Sequence, residues 1–220
     1  MAEVKSDFLS EIRRCIGDKK YHMSPSGKII SSKKGAKPTF KNDEDREARD
    51  VRIKGFGGCG HMVPVVLDAI RVGLVERARG QSAGNRFVQL NARTLCKAVA
   101  GEDGKLVREY DFKAMVIAHG VVLQPDVTVT VEGGKVLFSQ EKQESVRSST
   151  NPKDTVYGMV LDATHEWAEL VTLRIRGESG STSFAIPSDW DAANIYIYIF
   201  AVFHDNRRAS NSKCVYPSGD

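Results

Sequence analysis

Asn194-Ile195-Tyr196-Ile197-Tyr198-Ile199-Phe200-Ala201-Val202-Phe203 decides how the rest of the chain is read. Nearly every residue in it is β-branched or aromatic, and it carries no charge and no proline. Such a run reads as a β-strand covered on at least one face. The period of two sends Ile195, Ile197, Ile199 and Ala201 one way and Tyr196, Tyr198, Phe200 and Val202 the other. A strand this apolar needs neighbours beside it and a layer over it.

The flanking sequence supplies neighbours. Val127–Val131 and Lys135–Ser139 alternate around Glu132-Gly133-Gly134, a hairpin signal. Thr155–Leu161 and Ala168–Arg176 read as further strands, and Gly177-Glu178-Ser179-Gly180 as a turn back into Ser181–Ile186. Pro187–Trp190 reads as a corner, with Trp190 anchored under the sheet, and Ser212–Tyr216 as a last short strand. Ala114–Ala118 also reads as a strand, and 140–154 as a long loop. Strands at this spacing predict an antiparallel sandwich of immunoglobulin-like size over residues 105–220. The opening run is then its penultimate strand, and its tyrosine face is expected to be core.

The period before that sandwich is helical. Asn42 followed by Asp43, Glu44 and Asp45 is a strong helix start: a capping amide, then acids on the positive end of the dipole. That helix is expected to end near Phe56, at Gly55-Phe56-Gly57-Gly58-Cys59-Gly60. This glycine run follows no strand and lacks the Gly-Lys-Ser/Thr of a phosphate loop, so it reads as a close helix–helix contact or a bend. Pro64 is expected to open a second helix to Leu74, and a third spans Ser82–Val99 with Phe87, Leu90, Thr94, Leu95 and Ala98 inward. The predicted organisation is α+β: 1–42 an amphipathic helix and basic arm, 43–104 a helical block, 105–220 the sandwich.

The arm is the most unusual composition. Val4, Phe8, Ile12 and Ile16 recur every four residues, one stripe of a helix suited to docking. From residue 13 to residue 41 there are nine basic residues, Arg13, Arg14, Lys19, Lys20, Lys28, Lys33, Lys34, Lys37 and Lys41, against the single acid Asp18. Three readings fit: a solvated loop or Lys-edged hairpin through Gly27–Ile30, an arm gripping a protein subunit through these residues with Phe8 and Ile12, or a phosphate-binding arm on nucleic acid. The chain as a whole is only +4.

Several residues together resemble a family. The basic Gly/Lys arm precedes an acid-opened helical block. Asn85-Arg86-Phe87-Val88-Gln89-Leu90-Asn91 then gives Asn-x-Phe-x-x-x-Asn, and Val116–Gly120 reads Val-Ile-Ala-His-Gly. Gly134–Phe138 gives Gly-x-Val-x-Phe, and the aromatic strand closes through Asp205-Asn206-Arg207-Arg208-Ala209-Ser210-Asn211-Ser212 into Tyr216. This resembles a Bacteroidetes family of uncharacterised proteins, a domain of unknown function. The resemblance implies a helical N-terminal half and an immunoglobulin-like sandwich, and assigns no active-site residues.

Chemistry is sparse. No two of the five histidines, His22, His61, His119, His165 and His204, lie within thirty residues, so no local metal motif exists. The four cysteines, Cys15, Cys59, Cys96 and Cys214, have no close pair and read as free thiols. Cys59 beside His61 is the one candidate nucleophile, and adjacent residues seldom make the required geometry. Asp162, Glu166 and Glu169, like Asp189 and Asp191, read as turn acids. No catalytic residue, metal or cofactor is expected. No run is long enough to span a bilayer, and the charged N-terminus is no secretory signal, so cytoplasmic synthesis is expected.

These readings converge on a non-catalytic assembly protein, of the kind found in a phage virion or tail-like particle, held to protein subunits in a homo- or hetero-oligomer. Two other classes fit less well: a nucleic-acid-associated protein using residues 13–41, and a carbohydrate-binding or hydrolytic module, which needs an exposed aromatic platform from Trp167 or Trp190.

Overall fold

The computed structural model describes residues 15–16, 19–23, 29–33, 42–144 and 150–217. The chain divides into two compact units, 1–46 and 47–220. In the first, β1 (Cys15–Ile16), β2 (Lys19–Met23) and β3 (Ile29–Lys33) form an antiparallel sheet in that order. Met23 pairs with Ile29 and Lys19 with Lys33, so a lysine-edged hairpin does form here. The amphipathic helix expected over 3–16 lies outside the described residues except at its end, where Cys15 and Ile16 are strand.

The second unit is mixed α+β. Helix α1 (Asp43–Val65) starts as expected, with Asn42 Oδ1 accepting from the Asp45 backbone N–H at 2.9 Å. It does not end at the glycine run but passes through it, with Pro64 in its last turn. The glycines face a strand rather than a helix. A Cβ on Gly55 would meet the Cys96 carbonyl oxygen at 3.0 Å, and one on Gly58 would meet the Cys96 sulfur at 2.3 Å. α2 (Leu67–Gly73) follows after a one-residue break at Val66, so Pro64 opens no helix.

α3 (Ala83–Asn91) is shorter than its periodicity suggests. Ser82 caps it, its hydroxyl accepting from Asn85 N–H at 3.1 Å. The tail read as helix is instead β4 (Cys96–Ala100), paired with β5 (Leu106–Tyr110). The apolar 114–118 run is not a strand either. Its central backbone groups bond to side chains: Asn91 accepts from Val116 N–H at 2.7 Å and donates to Val116 C=O at 2.8 Å, and Ser212 accepts from Ile117 N–H at 3.0 Å, while Ala118 C=O accepts from Ser212 N–H at 2.9 Å. Asn91 and Ser212 therefore tie this segment to α3 and to the C-terminal turn.

Seven strands complete the unit. β6 (Val127–Glu132) and β7 (Lys135–Gln140) form the expected hairpin, its turn made by Gly133 and Gly134 at φ 56° and 70°. β8 (Thr155–Asp162), β9 (Trp167–Ile175), β10 (Gly180–Ala185), β11 (Ile195–Val202) and β12 (Lys213–Tyr216) follow. The sheets run β10-β7-β6 and β12-β11-β8-β9. β10 therefore does not fold back beside β9. It crosses to the other sheet and pairs with β7.

β11 is buried on both faces, and its alternation divides two cores. Ile195, Ile197, Ile199 and Ala201 join Val136, Phe138, Val156 and Val160 between the two sheets. Tyr198, Phe200 and Val202 join Ile70, Leu74, Phe87, Phe112 and Leu161 under the helices. The Tyr198 hydroxyl donates to the Phe112 carbonyl at 2.6 Å, so the tyrosine face is core with its polar tip satisfied. Gly158 makes room on β8 for a ring from the opposite sheet: a Cβ there would lie 2.7 Å from Phe138. Trp190 is half-buried, tilted against Phe184 at 6.0 Å, as a corner anchor should be.

Candidate functional site

An open groove of about 850 Å³ lies between α1 and β4. It follows from two features of sequence. The glycines of α1 let β4 sit close along one side of the helix. On α1, residues 49, 52, 53 and 56 recur at three- and four-residue spacing, so Arg49, Arg52, Ile53 and Phe56 share a face, and Ile53 and Phe56 lie off the buried stripe centred on Gly55, Gly58 and Met62. Ile53 and Phe56 are 51% and 58% exposed, although large apolar side chains usually find cover. Ala98 and Val99 of β4 extend the same apolar floor.

The rim is cationic. Arg49, Arg52, Arg93 and Lys97 line it. The Arg52 guanidinium donates to the Ala48 carbonyl at 3.2 Å. Among the described residues, no carboxylate lies within ion-pair distance of Arg52, Arg93 or Lys97. Arg49 is paired with Asp50 at 3.4 Å, so the apolar floor is flanked by one paired arginine together with Arg52, Arg93 and Lys97. The sequence held the signal: Ile53 and Phe56 fall off the core stripe of their helix.

A second cluster gathers the titratable groups. The turn between β8 and β9 holds Asp162 fully buried. Its carboxylate accepts from His165 Nδ1 at 2.6 Å, Thr164 N–H at 2.9 Å and Asp191 N–H at 3.0 Å. The Thr164 hydroxyl donates to Asp191 at 2.6 Å, so the two acidic turns read separately in the sequence are one network. Glu166 adopts φ 56°, rare for a residue with a side chain, and its carboxylate accepts from His61 Nε2 of α1 at 2.6 Å. Trp167 is 45% exposed and stacks on His165 at 5.1 Å.

This network joins the β8–β9 turn to the 189–191 corner and to α1. His61 is turned to Glu166, so it does not activate Cys59. Burial, with Cys96 adding to it, pushes the Cys59 thiol up to about 11, and a protonated thiol is a poor nucleophile. Burial likewise raises Cys96 and Cys214, and the described cysteines are free. No group of three His, Cys, Asp or Glu among the described residues is placed to hold a metal.

Burial pushes the Asp162 carboxyl up, but the hydrogen bonds from His165, Asp191 and Thr164 outweigh it and leave it below the ordinary value. A depressed folded-state pKa contributes stability that is full above the unfolded carboxylate value and lost as pH falls through the folded value. Asp162→Asn should therefore cost about 1–3 kcal/mol near neutrality, a difference that shrinks below about pH 4. Urea midpoints of both proteins across that range check it; a pH-independent difference would refute the assignment.

Of the arm residues expected to bind a partner, Lys19 and Lys20 lie in β2 and Lys33 in β3. Phe8, Ile12, Arg13, Arg14, Lys28, Lys34, Lys37 and Lys41 lie outside the described residues. No helix among the described residues is long and apolar enough to cross a membrane. No family model, curated protein or solved structure matches the chain.

Proposed function

We propose that this chain is a non-catalytic assembly protein, bound by a protein subunit along the groove between α1 and β4. The observation that carries the reading is the exposed pair Ile53 and Phe56 within a ring of Arg and Lys. Exposed apolar patches rimmed by polar residues mark interaction surfaces, and aromatic and arginine side chains dominate binding energy at them. The arm, rich in Lys and Arg, is the second element through which the protein is held to its neighbours. The particle class is a phage virion or tail-like device, where a basic arm and a rigid β module serve together, and the family is the Bacteroidetes group that the motifs resemble.

The rigid body in this reading is an immunoglobulin-like sandwich. What supports it is strand order. With β6 to β12 lettered A, B, C, C′, E, F and G, one sheet is A-B-E and the other C′-C-F-G. The strand after C pairs with C, as in variable-type domains, rather than with E. The cluster between the sheets supplies the core, and no B–F disulfide is used.

Particle fractions from the producing cells test the function. The wild-type chain is expected to sediment with them, and Phe56→Asp to fall at least about tenfold in that fraction, the loss of one central aromatic contact. A variant that sediments like wild type, or a wild-type chain found only free, refutes the proposal.

A second reading, in which the arm contacts nucleic acid, is supported by the nine basic residues against one acid over residues 13–41. Phosphate contacts would make binding fall steeply with salt, and an affinity unchanged by salt would discard it.

A further inference from the structure

We propose that the groove's occupant is residues 3–12 of a second copy of this chain. The inference rests on the reading of the groove as a binding face and names what binds there.

The argument is complementarity of charge and spacing. Glu3-Val4-Lys5-Ser6-Asp7-Phe8-Leu9-Ser10-Glu11-Ile12 places an acid immediately before each of Val4, Phe8 and Ile12. At helical period, Glu3, Asp7 and Glu11 form a row beside the apolar row. An acidic row flanking an apolar stripe is the pattern that an apolar floor flanked by Arg52, Arg93 and Lys97 accepts. Val4 and Ile12 are eight residues apart in the sequence and Arg49 and Phe56 on α1 seven, so the two patterns match in spacing.

The rest of the N-terminal region fits poorly. Residues 13–41 carry nine cations and one acid and would be repelled by the rim. Residues 3–12 hold three acids against one lysine. A second copy is the occupant that an assembly protein calls for. Segment into groove is a heterologous contact, in which each copy gives its segment to one neighbour and takes another's, so it builds rings or filaments rather than a closed two-fold dimer.

Sedimentation velocity on the full chain across a wide concentration range tests the proposal. Mass is expected to rise with concentration beyond a dimer. Glu3→Lys with Asp7→Lys and Glu11→Lys, and separately Phe56→Asp, should each weaken association at least about tenfold. Combining the three acid reversals with Arg52→Glu, Arg93→Glu and Lys97→Glu should restore it, which loss of folding cannot do. A wild-type chain that stays monomeric, association that survives the acid reversals, or a charge swap that restores nothing overturns the proposal. If the chain is monomeric and Phe56→Asp still leaves the particle fraction, the groove reading stands and the second-copy occupant falls.

Discussion

Arg176→Met should destabilise the second unit by about 3–5 kcal/mol, the cost of leaving one member of a buried ion pair alone. Arg176 is 1% exposed and Asp154 fully buried, with the guanidinium Nε 3.3 Å from the carboxylate. The same guanidinium donates to the Leu123 carbonyl at 2.6 Å and to the Gln143 side chain, so it ties two loops to the end of β9. Asp154 in turn accepts from Asn151 N–H at 2.9 Å and His204 N–H at 3.2 Å. Burial pulls the Arg176 pKa down while Asp154 holds it up, the signature of a charge taken out of water and paired. Urea denaturation gives the measurement. Arg176→Met with Asp154→Leu should recover part of the loss, because no lone charge remains. A single variant within about 1 kcal/mol of wild type would show that water or another group neutralises Asp154.

Phe200→Ala should cost about as much, roughly 3–5 kcal/mol, by a different mechanism. Its ring is fully buried on the helical face of β11 and stacked on Tyr157 at 5.5 Å. The layers above and below are held by other contacts and collapse only partly onto the space. Phe56→Ala is the paired control: the same truncation on an exposed ring should change stability by less than about 0.5 kcal/mol. Thermal unfolding of both variants separates the two environments, and comparable losses would contradict the burial described for them.

Much of this was legible in the chain, because period and end signals are local. β11 declares its two faces by alternation, Gly133-Gly134 declares its turn, and Asn42 with the acids after it declares the start of α1. The failures have nonlocal causes. Leu95 and Ala98 fit a helical period, but β4 is held as strand by pairing with β5 and by the glycine face of α1. The 114–118 run has a strand's composition, yet its central backbone groups are paired by the side chains of Asn91 and Ser212, far along the chain. The crossing of β10 leaves no mark on a period of two, since alternation looks alike in either sheet. Arg176 directly follows β9, where arginine is ordinarily solvated, and its partner lies 22 residues earlier. The groove went unread for a simpler reason: periodicity finds what is buried, and Ile53 and Phe56 are what α1 leaves uncovered.

β11 is the common wall of two cores, and that has a kinetic meaning. Opening the space between the sheets strips one side of this strand, and lifting the helices strips the other, so neither layer can melt alone without exposing half of Ile195–Val202. Amide protons in β7 and in α2 should therefore exchange through one shared opening reaction, with the slowest protons of the unit on β11 and β8. A protein whose layers open only together leaves few partly open states between the folded unit and its loss.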